Sequence, residues 1–258
     1  MSIHGWENSE GRVAGCLPRA SKPGEFCPMF SERIKVIPKS EWPDLLASAY
    51  YSGLRPSVPV ILDQDGVGSC ASESATQAAM TCRSFHGQPF ELLNPWYVYH
   101  TVSGGRDGGS NIDTNLQFLR DKGIAPESVW PRSKGWRATP SGEANEAAKN
   151  YRILEFFDIS NTEEFGSALL QGFPVSYGRS GHAILGVDLV STTTFRYANS
   201  WGNWGDEGFA VENLSRINFG YGAWAVRVAV DAGVMPVPKP SEMPPMVFEP
   251  WPSLGKQG

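Results

Sequence analysis

Charge is scarce in this sequence, and none of it forms a basic surplus. Only 19% of the 258 residues are Asp, Glu, Lys or Arg, against ~25% in an ordinary globular protein, and 27 acidic side chains outnumber 22 basic ones. A net charge of −5 argues against a partner recognised through its phosphates, so no nucleic acid is expected. Long apolar runs are also missing. Nothing approaches the ~18 consecutive apolar residues of a spanning helix, so no membrane partner is expected. The first 30 residues have neither the basic start nor the apolar stretch of an export signal. The compartment stays unknown, with cytoplasmic synthesis or incorporation into an assembly as the reading. The four cysteines, Cys16, Cys27, Cys70 and Cys82, are too few for a disulfide scaffold in a chain this long. Histidine is equally rare, at four residues.

What is present is a core-forming fraction of 41% hydrophobic residues, with 28 glycines, 20 prolines and 9 tryptophans that favour loops and short strands over long helices. Residues 1–37 read as an irregular extension. A helix-like piece covers about 41–49 and a strand-like run 58–62, before the turn Asp65-Gly66-Val67-Gly68. The best helix comes next, with Ser69 placed to cap it and Ala71, Ala75, Ala78, Ala79 and Cys82 along one face. Further helices are predicted over 111–122, stopping at Gly123, and over 162–171. From Pro174 to Val230 the texture changes to five strand-like segments rich in β-branched and aromatic residues. Helices first and strands afterwards imply an α+β protein of two lobes: a mainly helical one over 38–161 and a strand-rich one over 162–234. Residues 235–258 carry seven prolines and are predicted to run extended.

One constellation carries chemistry. In Gln64-Asp65-Gly66-Val67-Gly68-Ser69-Cys70 a cysteine sits at the first turn of a helix, where unpaired N–H groups and the macrodipole favour a thiolate. Gln64 lies six residues ahead of it. His182 opens an apolar strand directly after Gly181; alone it would read as a satisfied core histidine. Asn199 ends another strand within Asn199-Ser200-Trp201-Gly202-Asn203-Trp204-Gly205. A cysteine, a histidine, an asparagine and a glutamine supply a nucleophile, a base, an orienter and an oxyanion donor. His4, His86 and His100 read as surface or packing residues.

These segments resemble the papain-like cysteine peptidases over about residues 38–232, weakly at the front and strongly in the last third. The match rests on Gln64, Gly68-Ser69-Cys70, His182-Ala183, Asn199-Ser200-Trp201-Gly202, Trp204-Gly205 and Gly208-Phe209. Val67 stands where the family usually has a cysteine, and Ala71 where an aromatic normally follows the nucleophile. No typical helical pro-segment precedes the domain, which leaves the control of activity unexplained. The resemblance implies a two-lobed fold with a barrel-like β lobe and an active-site cleft between the lobes. It implies acyl transfer to the Cys70 thiolate, with the cysteine pKa well below ~8.5. His182 would act as base and then acid, and Asn199 would fix its tautomer under the cover of Trp201. The oxyanion would be held by Gln64 and the Cys70 N–H. Backbone at Gly108, Gly109 and Gly181 would bind an extended peptide or protein substrate, with no metal or other cofactor.

Other readings stand beside this one. Cys82, twelve positions beyond Cys70 on the same helix, reads as a buried inert thiol. Cys16 and Cys27 read as a local pair, as free thiols or, least favoured, as metal ligands. The run from Pro95 to Tyr99 reads as core packing. The tail reads as a flexible end or as an arm that docks on a protein partner through Met243, Met246, Phe248 and Trp251. Two rival functions are a papain-like scaffold in an assembly, such as a phage particle or a surface structure, with weak or no catalysis, and a Cys–His enzyme cleaving peptidoglycan stem peptides.

Overall fold

The computed structural model describes residues 14–48, 51–179 and 181–228. His4 and the proline-rich tail lie outside the described residues. Seven α-helices are described: α1 (Phe30–Arg33), α2 (Trp42–Ala47), α3 (Cys70–Phe85), α4 (Pro95–Val102), α5 (Ile112–Asp121), α6 (Gly142–Ala148) and α7 (Thr162–Leu170). Six strands form one antiparallel sheet: β1 (Ile153–Asp158), β2 (Val175–Arg179), β3 (His182–Leu189), β4 (Thr194–Ala198), β5 (Phe209–Asn213) and β6 (Ala223–Val228). Their spatial order is β1-β6-β2-β3-β4-β5. The α+β, two-lobed expectation holds, but the sheet is open, with β1 and β5 at its edges, rather than closed into a barrel.

Strand periodicity explains how the sheet takes helices on both faces. On one face, Ala183, Leu185 and Val187 of β3 and Trp224 and Val226 of β6 join a core with Ala71, Ala75 and Ala78 of α3. On the other, Ile184, Tyr177, Ala223 and Ala225 pack with Phe165 and Leu169 of α7 and with Trp42. Every residue of β3 is buried, which is why its sequence reads as an almost continuous apolar run. Trp42 seats directly on Gly166 of α7, where an added Cβ would lie 2.3 Å from the indole.

The structure refines three local expectations. Residues 58–62 are not a sheet strand: the Leu62 N–H and the Val60 carbonyl go to the Gln77 side chain of α3, and the Leu62 carbonyl accepts from the Gly202 N–H (3.1 Å). Strand β1 lacks a strand signal in the sequence, because Glu155 breaks its short apolar run and the exposed position at the sheet edge is an apolar one, Leu154. Ser69 occupies the N-cap position of α3, but its hydroxyl donates to Glu73 (2.9 Å) rather than capping a backbone N–H. The alanine face also understates the helix. It is buried nearly all round, from Cys70 to Arg83. Cys82 is buried, with its thiol toward the Val226 carbonyl (3.2 Å).

Candidate active site

The first turn of α3 and the start of β3 meet where the helix lies against the sheet. The sulfur of Cys70 is fully buried and faces the backbone N–H of Ala183, the residue after His182. His182 Nε2 lies 2.8 Å from Asn199 Oδ1, so the ring N–H donates to the amide oxygen and the tautomer leaves Nδ1 as the acceptor. Nδ1 is buried without a hydrogen-bond partner among the described residues. Trp201 stacks on the imidazole at 4.8 Å between centroids and 21° between planes.

Gln64 joins the two halves of the site. Its backbone N–H donates to the Ser200 carbonyl (3.0 Å). Its Oε1 accepts from Ser200 Oγ (3.0 Å) and Trp201 Nε1 (3.1 Å), while its Nε2 donates one hydrogen to the Val67 carbonyl (2.7 Å). The structure therefore gathers Gln64, Cys70, His182, Asn199 and Trp201. Of the three glycine candidates, Gly109 is buried with its N–H on Tyr99 Oη (3.1 Å), Gly181 is buried beside His182, and Gly108 is exposed.

The cleft holds the chain's own N-terminal segment. Ser110 donates its N–H to the Gly15 carbonyl (2.9 Å) and accepts from the Leu17 N–H (3.0 Å), a parallel bridge centred on Cys16. On the opposite wall, the Cys16 N–H donates to the Gly181 carbonyl (2.9 Å). Gly15 donates its N–H to the Cys70 sulfur at 3.3 Å. Across a trans peptide bond the carbonyl points opposite to the N–H, so the segment offers the nucleophile a donor and not a scissile carbonyl. Two buried carboxylates tether the adjoining stretch from Arg19 to Gly24. Asp113 accepts from Ala20 N, Ser21 N and Ser21 Oγ (2.6–2.9 Å), and Asp158 accepts from Arg19 and Gly24 N. Sequence reasoning missed this plug. Its only local signs are a glycine beside a cysteine and a nearby proline, which point to no cleft.

Burial reverses the expected electrostatics. With water excluded, burial pushes the Cys70 thiol up to about 11 and holds the His182 imidazole down at about 4. The expected low cysteine pKa is therefore absent in this closed arrangement: desolvation outweighs the helix N-terminus. Cys16 and Cys27 are free and buried, and burial raises both thiols, Cys27 to about 12.

No family model matches the sequence. No curated protein matches it either. Solved structures do. Xylellain, a cysteine protease from Xylella fastidiosa, superposes with a TM-score of 0.66 at 19% identity, over 85% of this chain and 98% of that one. The chain has the papain-like fold. A digestive procathepsin L2 proteinase from the larval midgut of Tenebrio molitor matches with a TM-score of 0.63 at 16% identity, over 86% of this chain and 81% of that one. The ragweed pollen cysteine protease Amb a 11, in its proform, gives 0.60 at 15% identity, over 82% and 72%. At such identities the likeness lies in the backbone, and the chemistry rests on the side chains of the site itself.

Proposed function

We propose that this chain is a cysteine peptidase that cuts peptide bonds through a thioacyl intermediate on Cys70 and is latent while residues 14–17 fill its cleft. The observation that carries the reading is the His182–Asn199 hydrogen bond beneath Trp201, on the strand whose next residue faces the Cys70 sulfur. Once the segment leaves, water returns and the thiol can pass its proton to His182 Nδ1. The thiolate attacks the peptide carbonyl, and the Cys70 N–H and Gln64 amide hold the oxyanion. The imidazolium protonates the leaving amine, and water, deprotonated by His182, releases the acyl group.

The test is labelling by an active-site titrant under reducing conditions, with hydrolysis of a fluorogenic peptide in parallel. Cys70 is expected to be labelled in a chain whose cleft is opened and Cys70→Ser to be inert in both assays; labelling spread evenly over all four cysteines would sink the reading. Gln64→Ala is expected to lower kcat about 10²-fold, as loss of one oxyanion donor does. An unchanged kcat removes Gln64 from the oxyanion site.

A second reading is favoured by the filled cleft itself. A papain-like scaffold working in an assembly would have no need to expose Cys70, and its thiol would stay unreactive in every condition that keeps the fold.

A further inference from the structure

One face of α3 carries a polar series that the acyl-transfer steps do not use. Ser69, Glu73 and Gln77 recur at four-residue spacing, all buried, on the helix whose first residue is Cys70. Gln77 takes the N–H of Leu62 on its Oε1 (3.2 Å) and donates Nε2 to the Val60 carbonyl. Glu73 takes the Ser69 hydroxyl (2.9 Å) and Arg132 Nη2 (2.6 Å) on its Oε1. The same guanidinium donates Nη1 to the carbonyl of Asp63 (2.6 Å), the residue directly before Gln64. Arg132 is itself fixed: its N–H donates to Glu127 Oε2 (2.7 Å) and its guanidinium lies 4.4 Å over the Trp96 ring of α4.

We propose that Glu73 and Arg132 are positioning residues for the oxyanion site, holding Gln64 at a set distance from Cys70 by tying the backbone at Asp63 to the nucleophile's helix. The inference rests on the peptidase reading. The guanidinium fork suits the task, because two N–H groups reach two acceptors on different segments and a lysine ammonium lacks that fixed geometry. Burying a carboxylate costs more than packing an apolar side chain in its place, and desolvation raises Glu73 to about 8 in spite of Arg132. A purely structural position favours leucine. What Glu73 adds is a polar anchor rigid with Cys70.

The test uses the full chain carrying Gly15→Val to free the cleft, with Arg132→Met, Arg132→Lys, Glu73→Leu and Glu73→Gln, each alone and with Gln64→Ala. Arg132→Met is expected to lower kcat about 10-fold with KM little changed, since a misplaced donor loses part of what a deleted one loses. Combined with Gln64→Ala it should fall no further than Gln64→Ala alone, to within about 2-fold, because both act through one donor. Arg132→Lys keeps the charge and much of the packing and should lose activity too. Glu73→Gln keeps the Oε1 acceptor and should lose far less than Glu73→Leu. The rate of Cys70 alkylation, which uses no oxyanion donor, should stay near that of the parent, and amide hydrogen exchange over residues 60–67 should speed up. Multiplying penalties, an unchanged kcat, or exchange that does not move would each overturn the positioning role. If no chain hydrolyses peptide, the peptidase reading fails, and unchanged exchange in Arg132→Met still decides against the tether.

Discussion

His182→Ala is expected to reduce kcat on the order of 10⁴-fold or more in the opened chain, with the fold retained. The size of the effect comes from one ring doing two jobs. On the peptidase reading, Nδ1 takes the thiol proton before attack and returns it to the leaving amine afterwards. Asn199→Ala should lose less. It removes the acceptor at 2.8 Å that selects the tautomer, but the ring stays stacked on Trp201. The rate of Cys70 alkylation near neutral pH should fall in His182→Ala as well, because the thiol then ionises unaided. Circular dichroism separates lost chemistry from lost structure, which is needed because the imidazole is buried under Trp201 and its removal leaves a cavity. A loss of less than about tenfold would remove His182 from proton transfer.

The candidate site residues stand out in the sequence through the papain-like motifs taken together, each placed at a boundary: Cys70 after a glycine turn, His182 after Gly181, and Asn199 at the end of a strand. What held them in place was less visible. Glu73, Gln77 and Arg132 look like surface residues in a sequence, since charged and amide side chains are rarely fully buried without partners, and their partners lie at distant positions. The sheet was legible wherever both faces are covered, as in β3, and hidden at β1, where Glu155 breaks a short apolar run and Leu154 faces out. The N-terminal segment was illegible for a different reason. It pairs by backbone alone, through Gly15, Cys16 and Leu17, and backbone hydrogen bonds leave no mark in a sequence. The expected thiolate failed because burial of the sulfur outweighs the helix N-terminus and the N–H groups that face it.

Gly15→Val is expected to raise the rates of Cys70 labelling and peptide hydrolysis about 10²-fold over the unaltered chain. A Cβ at Gly15 would lie 1.9 Å from the Gly68 carbonyl oxygen and 2.6 Å from Gly68 Cα, backbone that cannot swing aside. Seating the segment makes three hydrogen bonds to the cleft walls, at about 1 kcal/mol net each, and about 3 kcal/mol corresponds to the stated factor. The tethers at Asp113 and Asp158 remain, so the segment is unseated and not shed. Leu17→Ala, at an exposed side chain whose N–H still donates, should change little. Acidity should act on the unaltered chain in the same direction. His182 is held at about 4 in the closed cleft against an ordinary 6.5, with Arg179 the charged neighbour that adds to the lowering. A base buried neutral takes its proton only in the open state. Closure is therefore strongest above pH 6.5 and weakens as the pH falls toward 4. Cys70, raised from 9.0 to about 11, acts at the other end, where closure weakens as the pH rises from 9 toward 11. The ratio of labelling rates between Gly15→Val and the unaltered chain should therefore be largest between about pH 6.5 and 9 and shrink on either side, because only the unaltered chain has a plug to lose. A ratio flat from pH 4 to 9 would show that the segment leaves without hydrating the imidazole, and a ratio near one throughout would show that it does not guard the thiol at all.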